Sequence, residues 1–331
     1  MTRSAARSPA PVALVLMIAS LLLCVAGAAV GSAGWEPLWR ASGESAAAVL
    51  WEIRLPRTFG AWLAGALLGL AGAVAQGLFR NPLADPYLLG SATGAGLGVA
   101  LLLALAGVSP LDAGGWTARL GLAGAGFAGA VLAVLVTLVL AKGVQHTLRL
   151  LLAGVVVGMV FGALASLVMF WVPDVMRAMQ SFLLGTTGLL GWPSVVLLGA
   201  VLAAGLVAAL AFSRGLDALS LGEDTAASLG VALAPVRTAL IGVMALATGA
   251  AVAQVGLIAF IGLVAPHLVR AATRATSRWL LPLSALTGGA LLLAADVLAR
   301  GLLAPQELPV GVLTAVLGGG YLLWLMHRRA A

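Results

Sequence analysis

Residues Arg54 to Gly98 read RLPRTFGAWLAGALLGLAGAVAQGLFRNPLADPYLLGSATGAGLG. Two arginines lead into about 20 mostly apolar residues, a length that crosses the hydrocarbon core of a bilayer as a helix. A polar turn, Arg80 to Pro86, follows, and a second apolar segment rich in glycine begins after it. The stretch predicts two membrane helices joined by a turn that is more polar than a simple hydrophobic hairpin needs.

The rest of the chain has the same character. Of its 331 residues, 62% are hydrophobic and only 9% are charged, whereas about a quarter of the residues are charged in soluble proteins. We therefore predict an all-α polytopic membrane protein with about ten transmembrane helices, forming a single transmembrane domain over residues 1–331. The predicted spans are 11–31, 58–79, 87–107, 117–141, 149–171, 190–212, 235–255, 257–269, 279–299 and 309–326.

The basic residues between the spans predict the orientation. With the N-terminus inside, the inner connections hold twelve of the 18 arginines and lysines, and the outer connections hold six. Basic residues are enriched on the cytoplasmic side of membrane proteins, so both termini are predicted to be cytoplasmic. The same distribution accounts for the net charge of +7, which gives no indication of nucleic-acid binding.

The sequence contains no motif for nucleotide hydrolysis. A phosphate-binding loop needs a Gly-Lys-Ser/Thr sequence, but the only lysine of the chain, Lys142, is followed by glycine. No cluster of acids, bases, nucleophiles or metal-ligating residues is visible in the sequence either. We therefore predict that the chain is not an enzyme and holds neither a metal nor a cofactor of its own.

Ionisable residues inside the predicted spans are few. The main candidate is Asp296, which lies four residues before Arg300 near the outer end of its span. An ion pair at the membrane interface is the simpler interpretation, and a buried proton site is the other. Ion-coupled secondary transporters need an acid or base near the bilayer midplane. The predicted spans contain almost no such residue, which favours a transporter whose energy is supplied by another subunit.

The longest internal cytoplasmic connection, residues 213–237, predicts a short helix outside the membrane. Glu223 and Asp224 stand at its start, where acids complement the helix dipole. Gly230 follows a run of small residues and can end the helix. Two interpretations stay open at this point: a helix that docks into a groove of a partner, and an ordinary amphipathic loop helix.

A short repeat suggests two related halves. The sequence Ala73–Gln76 recurs as Ala251–Gln254, and each copy is followed by a glycine and later by a proline. Two related five-helix halves fit the internal repeats that are common among transporters.

Several blocks of the chain, in this order, resemble the permease subunits of one transporter family. The blocks are Leu55–Arg57, Gly72 with Gln76, Asn81–Pro86, Leu89–Gly90, Arg149–Gly154, Gly222–Gly230, Gly256–His267, Ala295–Asp296 with Arg300, and Glu307–Gly311. They resemble the type II ABC importers that take up iron-siderophores, haem and cobalamin. The resemblance covers about residues 50–327, nearly the whole chain.

The resemblance implies roles for three groups of residues. The residues that match the coupling helix, which sits in a cleft of a cytoplasmic ATPase, are Gly222, Glu223, Asp224, Ala227, Leu229 and Gly230. The residues that match outward-facing arginines, which meet glutamates of a soluble binding protein, are Arg54, Arg57 and Arg300. The residues that match positions of the inner gate are Asn81, Leu83, Thr147 and Leu148.

The resemblance also implies partners, location and cargo. Two copies of the permease enclose the pathway, two ATPase subunits bind ATP and Mg, and a periplasmic binding protein delivers a metal chelate. The complex is expected in the bacterial inner membrane. Haem or an iron-siderophore is the first expectation and cobalamin the alternative, while an ion-coupled secondary transporter acting alone is less favoured.

Overall fold

The structure is a computed structural model that describes residues 8–31, 34–35, 44–106, 116–144 and 147–330. In chain order, its α-helices are α1 (Pro9–Ala29), α2 (Glu44–Val49), α3 (Leu55–Leu78), α4 (Ser91–Ala106), α5 (Trp116–Leu140), α6 (Thr147–Trp171), α7 (Pro173–Leu184), α8 (Trp192–Ala211), α9 (Ser213–Ser220), α10 (Glu223–Ser228), α11 (Leu233–Val255), α12 (Ile261–Ala272), α13 (Ser277–Gly301) and α14 (Val310–Ala330).

Three smaller elements complete the described chain. A π-helical turn, Leu50–Arg54, runs directly into α3, and a 3-10 turn, Pro86–Leu89, precedes α4. Strands β1 (Val30–Gly31) and β2 (Gly34–Trp35) form an antiparallel pair of two residues each.

The prediction of an all-α polytopic membrane protein is confirmed. In the part of the chain that the structure describes, eight helices are long and apolar enough to cross a membrane, and two shorter apolar helices, α4 and α12, stand where the sequence predicts the other two of the ten spans. The predicted span 87–107 begins later, at Ser91, because the 3-10 turn comes first. The predicted span 257–269 is displaced to Ile261–Ala272, because Gly256 and Phe260 both take positive φ angles, 70° and 69°.

Helix α3 occupies the centre of the bundle. Of its apolar window 83% is buried, against 17% for α8 and α14. Glycines let two helices approach it closely: a side-chain carbon at Gly65 would overlap the carbonyl oxygen of Gly288 in α13, and one at Gly72 would overlap that of Gly262 in α12. Such small-residue contacts are typical of membrane helices, which pack by shape rather than by exclusion of water.

Two irregular segments meet inside the bundle. The hydroxyl of Tyr87, in the 3-10 turn before α4, donates to the carbonyl oxygen of Ile258 in the break between α11 and α12, at 3.1 Å. The N–H of Leu257 in the same break donates to the carbonyl oxygen of Phe182 in α7, at 3.0 Å. Irregular backbone between apolar helices needs partners within the protein, because lipid offers none.

The orientation predicted from the basic residues distinguishes an outer end and an inner end of the bundle. The outer end carries the start of α3 and the end of α13. The inner end carries the hairpin between α3 and α4, together with α9 and α10. The short helix predicted to start at Glu223 is present as α10, and a further short helix, α9, precedes it. Glycines with positive φ flank α10: Gly222 at 115° and Gly230 at 79°.

Candidate functional site

At the outer end, a buried carboxylate joins two arginines. Asp296 of α13 has no exposed surface. Its Oδ1 accepts hydrogen bonds from Arg57 Nε (3.2 Å), Arg57 Nη2 (3.1 Å) and the hydroxyl of Thr187. Its Oδ2 lies 2.6 Å from Arg300 Nη2. We call Arg57, Thr187, Asp296, Arg300 and Glu307 the outer charge cluster.

Arg300 points into the chain. Its side chain is 1% exposed, and its Nη1 donates to the carbonyl oxygens of Gly27 (3.0 Å) and Val30 (2.8 Å) at the end of α1. The predicted i,i+4 pair with Asp296 is therefore present, but it is buried rather than interfacial. The outward-facing position expected for Arg300 is wrong, because these buried acceptors hold the guanidinium inside the protein.

Arg57 lies at the edge of the same cluster. Its side chain is 11% exposed, and its Nη2 lies 2.9 Å from Glu307 Oε2, a carboxylate that is itself 30% exposed. Both residues line a concavity of about 360 Å³ at the outer end, together with Arg177, Gln180 and Thr187. Of the three predicted docking arginines, Arg57 borders this opening, and Arg54 is half-buried with its side chain beside Gly31.

The hairpin at the inner end is held by its own side chains. Asn81 Oδ1 accepts from the N–H of Leu83 at 2.9 Å, and Asp85 Oδ1 accepts from the N–H of Tyr87 at 2.8 Å. Short polar side chains stabilise turns in this way. Asn81 and Leu83 are both exposed, so the side chains of these two predicted gate residues lie at the surface of the protomer.

The other two predicted gate residues begin α6. Leu148 is 70% exposed, whereas the hydroxyl of Thr147 donates to Glu223 Oε1 at 3.1 Å. The same oxygen lies 2.5 Å from Arg237 Nη2 and 3.7 Å from Arg80 Nη2. We call Arg80, Thr147, Glu223 and Arg237 the inner charge cluster.

The inner charge cluster keeps Glu223 ionised. Burial alone raises the pKa of this carboxyl, but the charge and hydrogen bond of Arg237 lower it, as do the hydroxyl of Thr147 and the charge of Arg80. The net result is a pKa below the ordinary value. Glu223 is therefore an anion throughout the neutral pH range.

The predicted coupling residues fall on two sides of α10. Glu223 turns toward the bundle, into the inner charge cluster. The members that are exposed at the inner surface are Asp224, Ala227, Leu229 and Gly230. Gly222 is half-buried before the first turn. An exposed face and an anchored face thus coexist on one short helix.

Sequence reasoning did not assign Thr187, Glu307, Arg80 or Arg237 to a site. Glu307 stands in a block that carried the family resemblance, and Arg237 stands close to Glu223 in sequence. Arg80 begins the polar turn that the sequence marked out, but nothing in the sequence pointed to Thr187. Within the described residues, no group of three or more His, Cys, Asp or Glu side chains is arranged to hold a metal ion.

A family profile described as the FecCD transport family matches residues 12–328. The chain belongs to the FecCD transport family. A hemin transport system permease protein of Yersinia pestis, HmuU, is 38% identical over 326 residues, which cover 95% of this chain and 96% of that protein. The vitamin B12 import system permease protein BtuC of Salmonella typhimurium is 39% identical over 318 residues, covering 96% and 93%. The resemblance inferred from the sequence blocks is thereby confirmed.

Solved structures agree with the family assignment. A structure described as an inward-facing conformation of a metal-chelate type ABC transporter matches with a TM-score of 0.83 and 28% identity, covering 97% of this chain and 99% of that chain. PsaBC from Streptococcus pneumoniae, in complex with Fab, matches with a TM-score of 0.55 at 17% identity. The second likeness concerns the fold alone.

Proposed function

We propose that this chain is the permease subunit of an ATP-driven importer that moves a metal chelate from a periplasmic binding protein into the cytoplasm. The observation that carries the proposal is the match to the FecCD transport family over nearly the whole chain. A secondary transporter acting alone is not favoured. Among the described residues, the fully buried acid at the outer end, Asp296, is paired with two arginines, which is typical of a structural ion pair.

Haem is the first candidate for the cargo. It is supported by the hemin permease of Yersinia pestis, at 38% identity. Cobalamin is the alternative, supported by the vitamin B12 permeases at 39% identity. Iron-siderophores stay within the proposal because the metal-chelate type transporter shares the fold. Overall identity does not separate these substrates, since the first two values are nearly equal.

A pathway between two copies of the chain suits such cargo. Cavities among the helices include one of about 180 Å³ beside Gln254 and one of about 220 Å³ beside Tyr321, and the larger concavity of about 360 Å³ is lined by residues of the outer end. Pockets for drug-sized ligands are about 300–1,000 Å³, and haem, siderophores and cobalamin are ligands of at least drug size. We propose a homodimer whose copies enclose the pathway, with Asn81, Leu83, Thr147 and Leu148 at its inner gate.

The inner surface offers a place for the ATPase subunits. In this proposal, the exposed face of α10 docks into each ATPase, which binds ATP and Mg, so the permease itself holds no cofactor. The protein lies in the bacterial inner membrane with both termini in the cytoplasm. This orientation puts α10 and the ATPase on the same side, as the mechanism needs.

The outer concavity offers a place for the binding protein. Arg57 borders it and is partly accessible, and Arg54 lies one helical turn earlier. An incoming glutamate can pair with Arg57 in bidentate geometry. In the free permease, the guanidinium of Arg57 already pairs with the carboxylate of Glu307. Docking would therefore replace the Glu307 carboxylate with one from the binding protein.

Docking by exchange predicts opposite effects for two substitutions. Arg57→Gln is expected to weaken binding of the binding protein about tenfold, because a charge-assisted contact is lost. Glu307→Gln is expected to strengthen it about two- to fivefold, because a partly exposed competing pair disappears. The measurement is a titration of fluorescent binding protein onto the permease–ATPase complex in nanodiscs.

An exposed carboxylate at the same end provides the control. Glu52→Gln, in the turn before α3, is expected to leave the affinity unchanged, because Glu52 is exposed and does not line the concavity. Weaker binding in Glu307→Gln would contradict the exchange. Unchanged binding in Arg57→Gln would remove Arg57 from the docking surface.

Uptake of candidate cargo tests the proposed function. Proteoliposomes that contain the permease and its ATPase, with binding protein and ATP supplied, are offered haem, a ferric siderophore and cobalamin in parallel. We expect one of the three, haem first, to accumulate at least about tenfold over the others, as a difference of about 1.4 kcal/mol in recognition gives. Accumulation of none of them would contradict the proposal.

A further inference from the structure

A single oxygen atom of Glu223 connects α10 to three other elements. Its Oε1 contacts Arg237 of α11, Thr147 at the start of α6 and Arg80 in the hairpin, at 2.5, 3.1 and 3.7 Å. Thr147 begins α6 and is itself a predicted gate residue. Arg80 directly precedes Asn81, a predicted gate residue of the hairpin. The carboxylate therefore bridges the coupling helix and both gate segments, the start of α6 and the hairpin.

The three contacts differ in how firmly they are fixed. The side chain of Arg237 is 4% exposed, and its Nη1 also donates to the carbonyl oxygen of Val144 at 3.2 Å. Arg80 is 43% exposed. Arg237 is the buried member of its pair with Glu223, whose own carboxylate is 32% exposed, whereas the pair with the more exposed Arg80 contributes little. The carboxylate is thus attached to α11 through Arg237, and it reaches the start of α6 through Thr147 and, more weakly, the hairpin through Arg80.

The exposed face of α10 leaves Glu223 outside the docking surface. Asp224, Ala227 and Leu229 are exposed, while Ala226 is fully buried. A partner that binds the exposed face does not need to touch the carboxylate of Glu223. This carboxylate gives the movement of such a partner a route from α10 to the gate segments.

We propose that Glu223 is a positioning residue that transmits displacement of α10 to the start of α6 and to the Arg80–Pro86 hairpin. The proposal rests on the proposed function, since it takes α10 as the helix that the ATPase moves. When α10 shifts, Oε1 shifts with it, and the hydrogen bond to Thr147 pulls on the first turn of α6. The ionic contact with Arg80 acts on the hairpin in the same way.

A purely structural role for Glu223 makes a different prediction. If the carboxylate only holds α10 in place, its loss releases the helix and the ATPase subunit dissociates. If it transmits movement, its loss leaves the ATPase bound and hydrolysing ATP, but less substrate moves for each ATP. The informative quantity is therefore the ratio of haem imported to ATP hydrolysed, together with the amount of bound ATPase.

The experiment compares Glu223→Gln with Asp217→Asn in the purified permease–ATPase complex, reconstituted with binding protein and radiolabelled haem. Asp217 is a carboxylate of α9, at the same end, that accepts the N–H of Ser277 at 2.8 Å. Its amide counterpart keeps an acceptor oxygen. We expect the haem-to-ATP ratio to fall about fivefold or more in Glu223→Gln, as loss of a typical coupling between two sites gives, and to stay within about twofold in Asp217→Asn.

Two further variants test the contact with Thr147 alone. Thr147→Val removes the hydroxyl and is expected to lower the same ratio, whereas Thr147→Ser keeps the donor and is expected to restore it. Glu223→Gln keeps an acceptor oxygen for Thr147 but weakens the hydrogen bond by removing the charge, so the effects of Glu223→Gln and Thr147→Val should add only in part. Fully additive effects, or equal loss in the valine and serine variants, would overturn the proposal.

Two further outcomes bear on the role of Glu223. An unchanged ratio in Glu223→Gln would overturn the proposal, and so would loss of the ATPase subunit from that variant. The wild-type complex shows whether the proposed transport function or only the proposed role of Glu223 has failed. If it imports haem with ATP while Glu223→Gln couples normally, the transport function stands and only this role of Glu223 fails. If the wild-type complex imports none of the chelates, the proposed function fails, and this role fails with it.

Discussion

Replacing Asp296 with asparagine is expected to lower the free energy of unfolding by about 3–5 kcal/mol, the cost of removing one partner from a buried ion pair. Asp296 has no exposed surface and contacts both Arg57 and Arg300. The substitution leaves Arg300 with carbonyl oxygens alone, which do not neutralise its charge. Thermal unfolding of the detergent-solubilised protein measures the loss.

Glu307 provides a matched control for Asp296. It is also a carboxylate bound to Arg57, but it is 30% exposed. Because water screens such a pair, Glu307→Gln is expected to change the free energy of unfolding by less than about 1 kcal/mol. Equal losses in the two variants would contradict the view that Asp296 owes its effect to burial. A loss below about 1 kcal/mol in Asp296→Asn would contradict it as well.

The second large effect is expected at Gly72. A side-chain carbon there would overlap the backbone carbonyl of Gly262, so α3 and α12 must separate to accept it. Gly72→Ala is expected to lower the free energy of unfolding by about 1–3 kcal/mol, as overpacking does in dense interiors. The same thermal unfolding assay applies.

Gly242 in α11 is the control for Gly72. A side-chain carbon at Gly242 would meet nothing within 4 Å. Gly242→Ala is expected to raise the free energy of unfolding by about 0.5–1 kcal/mol, because alanine loses less backbone freedom in a helix. The two substitutions thus have opposite expected signs. A stabilising effect of Gly72→Ala would contradict the close approach of α3 and α12.

The number and order of the membrane helices could be predicted from the sequence because each span is a long apolar segment. The errors fall where local backbone geometry decides. Phe260 takes a positive φ, which no hydropathy pattern indicates, and the resulting break moves the start of α12. The 3-10 turn before α4 likewise shortens a segment that reads as one apolar run from Tyr87.

The charge clusters could be predicted only in part. The pair of Asp296 and Arg300 follows from their i,i+4 spacing on one helix. Its burial does not, because Arg57, the third member, is 239 residues away from Asp296 in the chain. The same holds at the inner end, where Thr147 and Glu223 are 76 residues apart. Such pairings depend on how helices pack, which a single sequence does not encode locally.

The two clusters place the proposed functions at opposite ends of α3. Arg57 stands near its outer end, and Arg80 follows its inner end by two residues. Helix α3 is also the most deeply packed of the long helices by the buried share of its apolar window. We expect it to serve as a rigid element between the docking surface and the inner gate, while α10 and the start of α6 carry the movement.

The most direct test of this account is the energy source of uptake. Proteoliposomes with the permease, its ATPase and the binding protein are offered radiolabelled haem, with each component and ATP omitted in turn. The account predicts that haem accumulates only when the binding protein, the ATPase and ATP are all present. Accumulation driven by a proton or sodium gradient, without ATP, would contradict it.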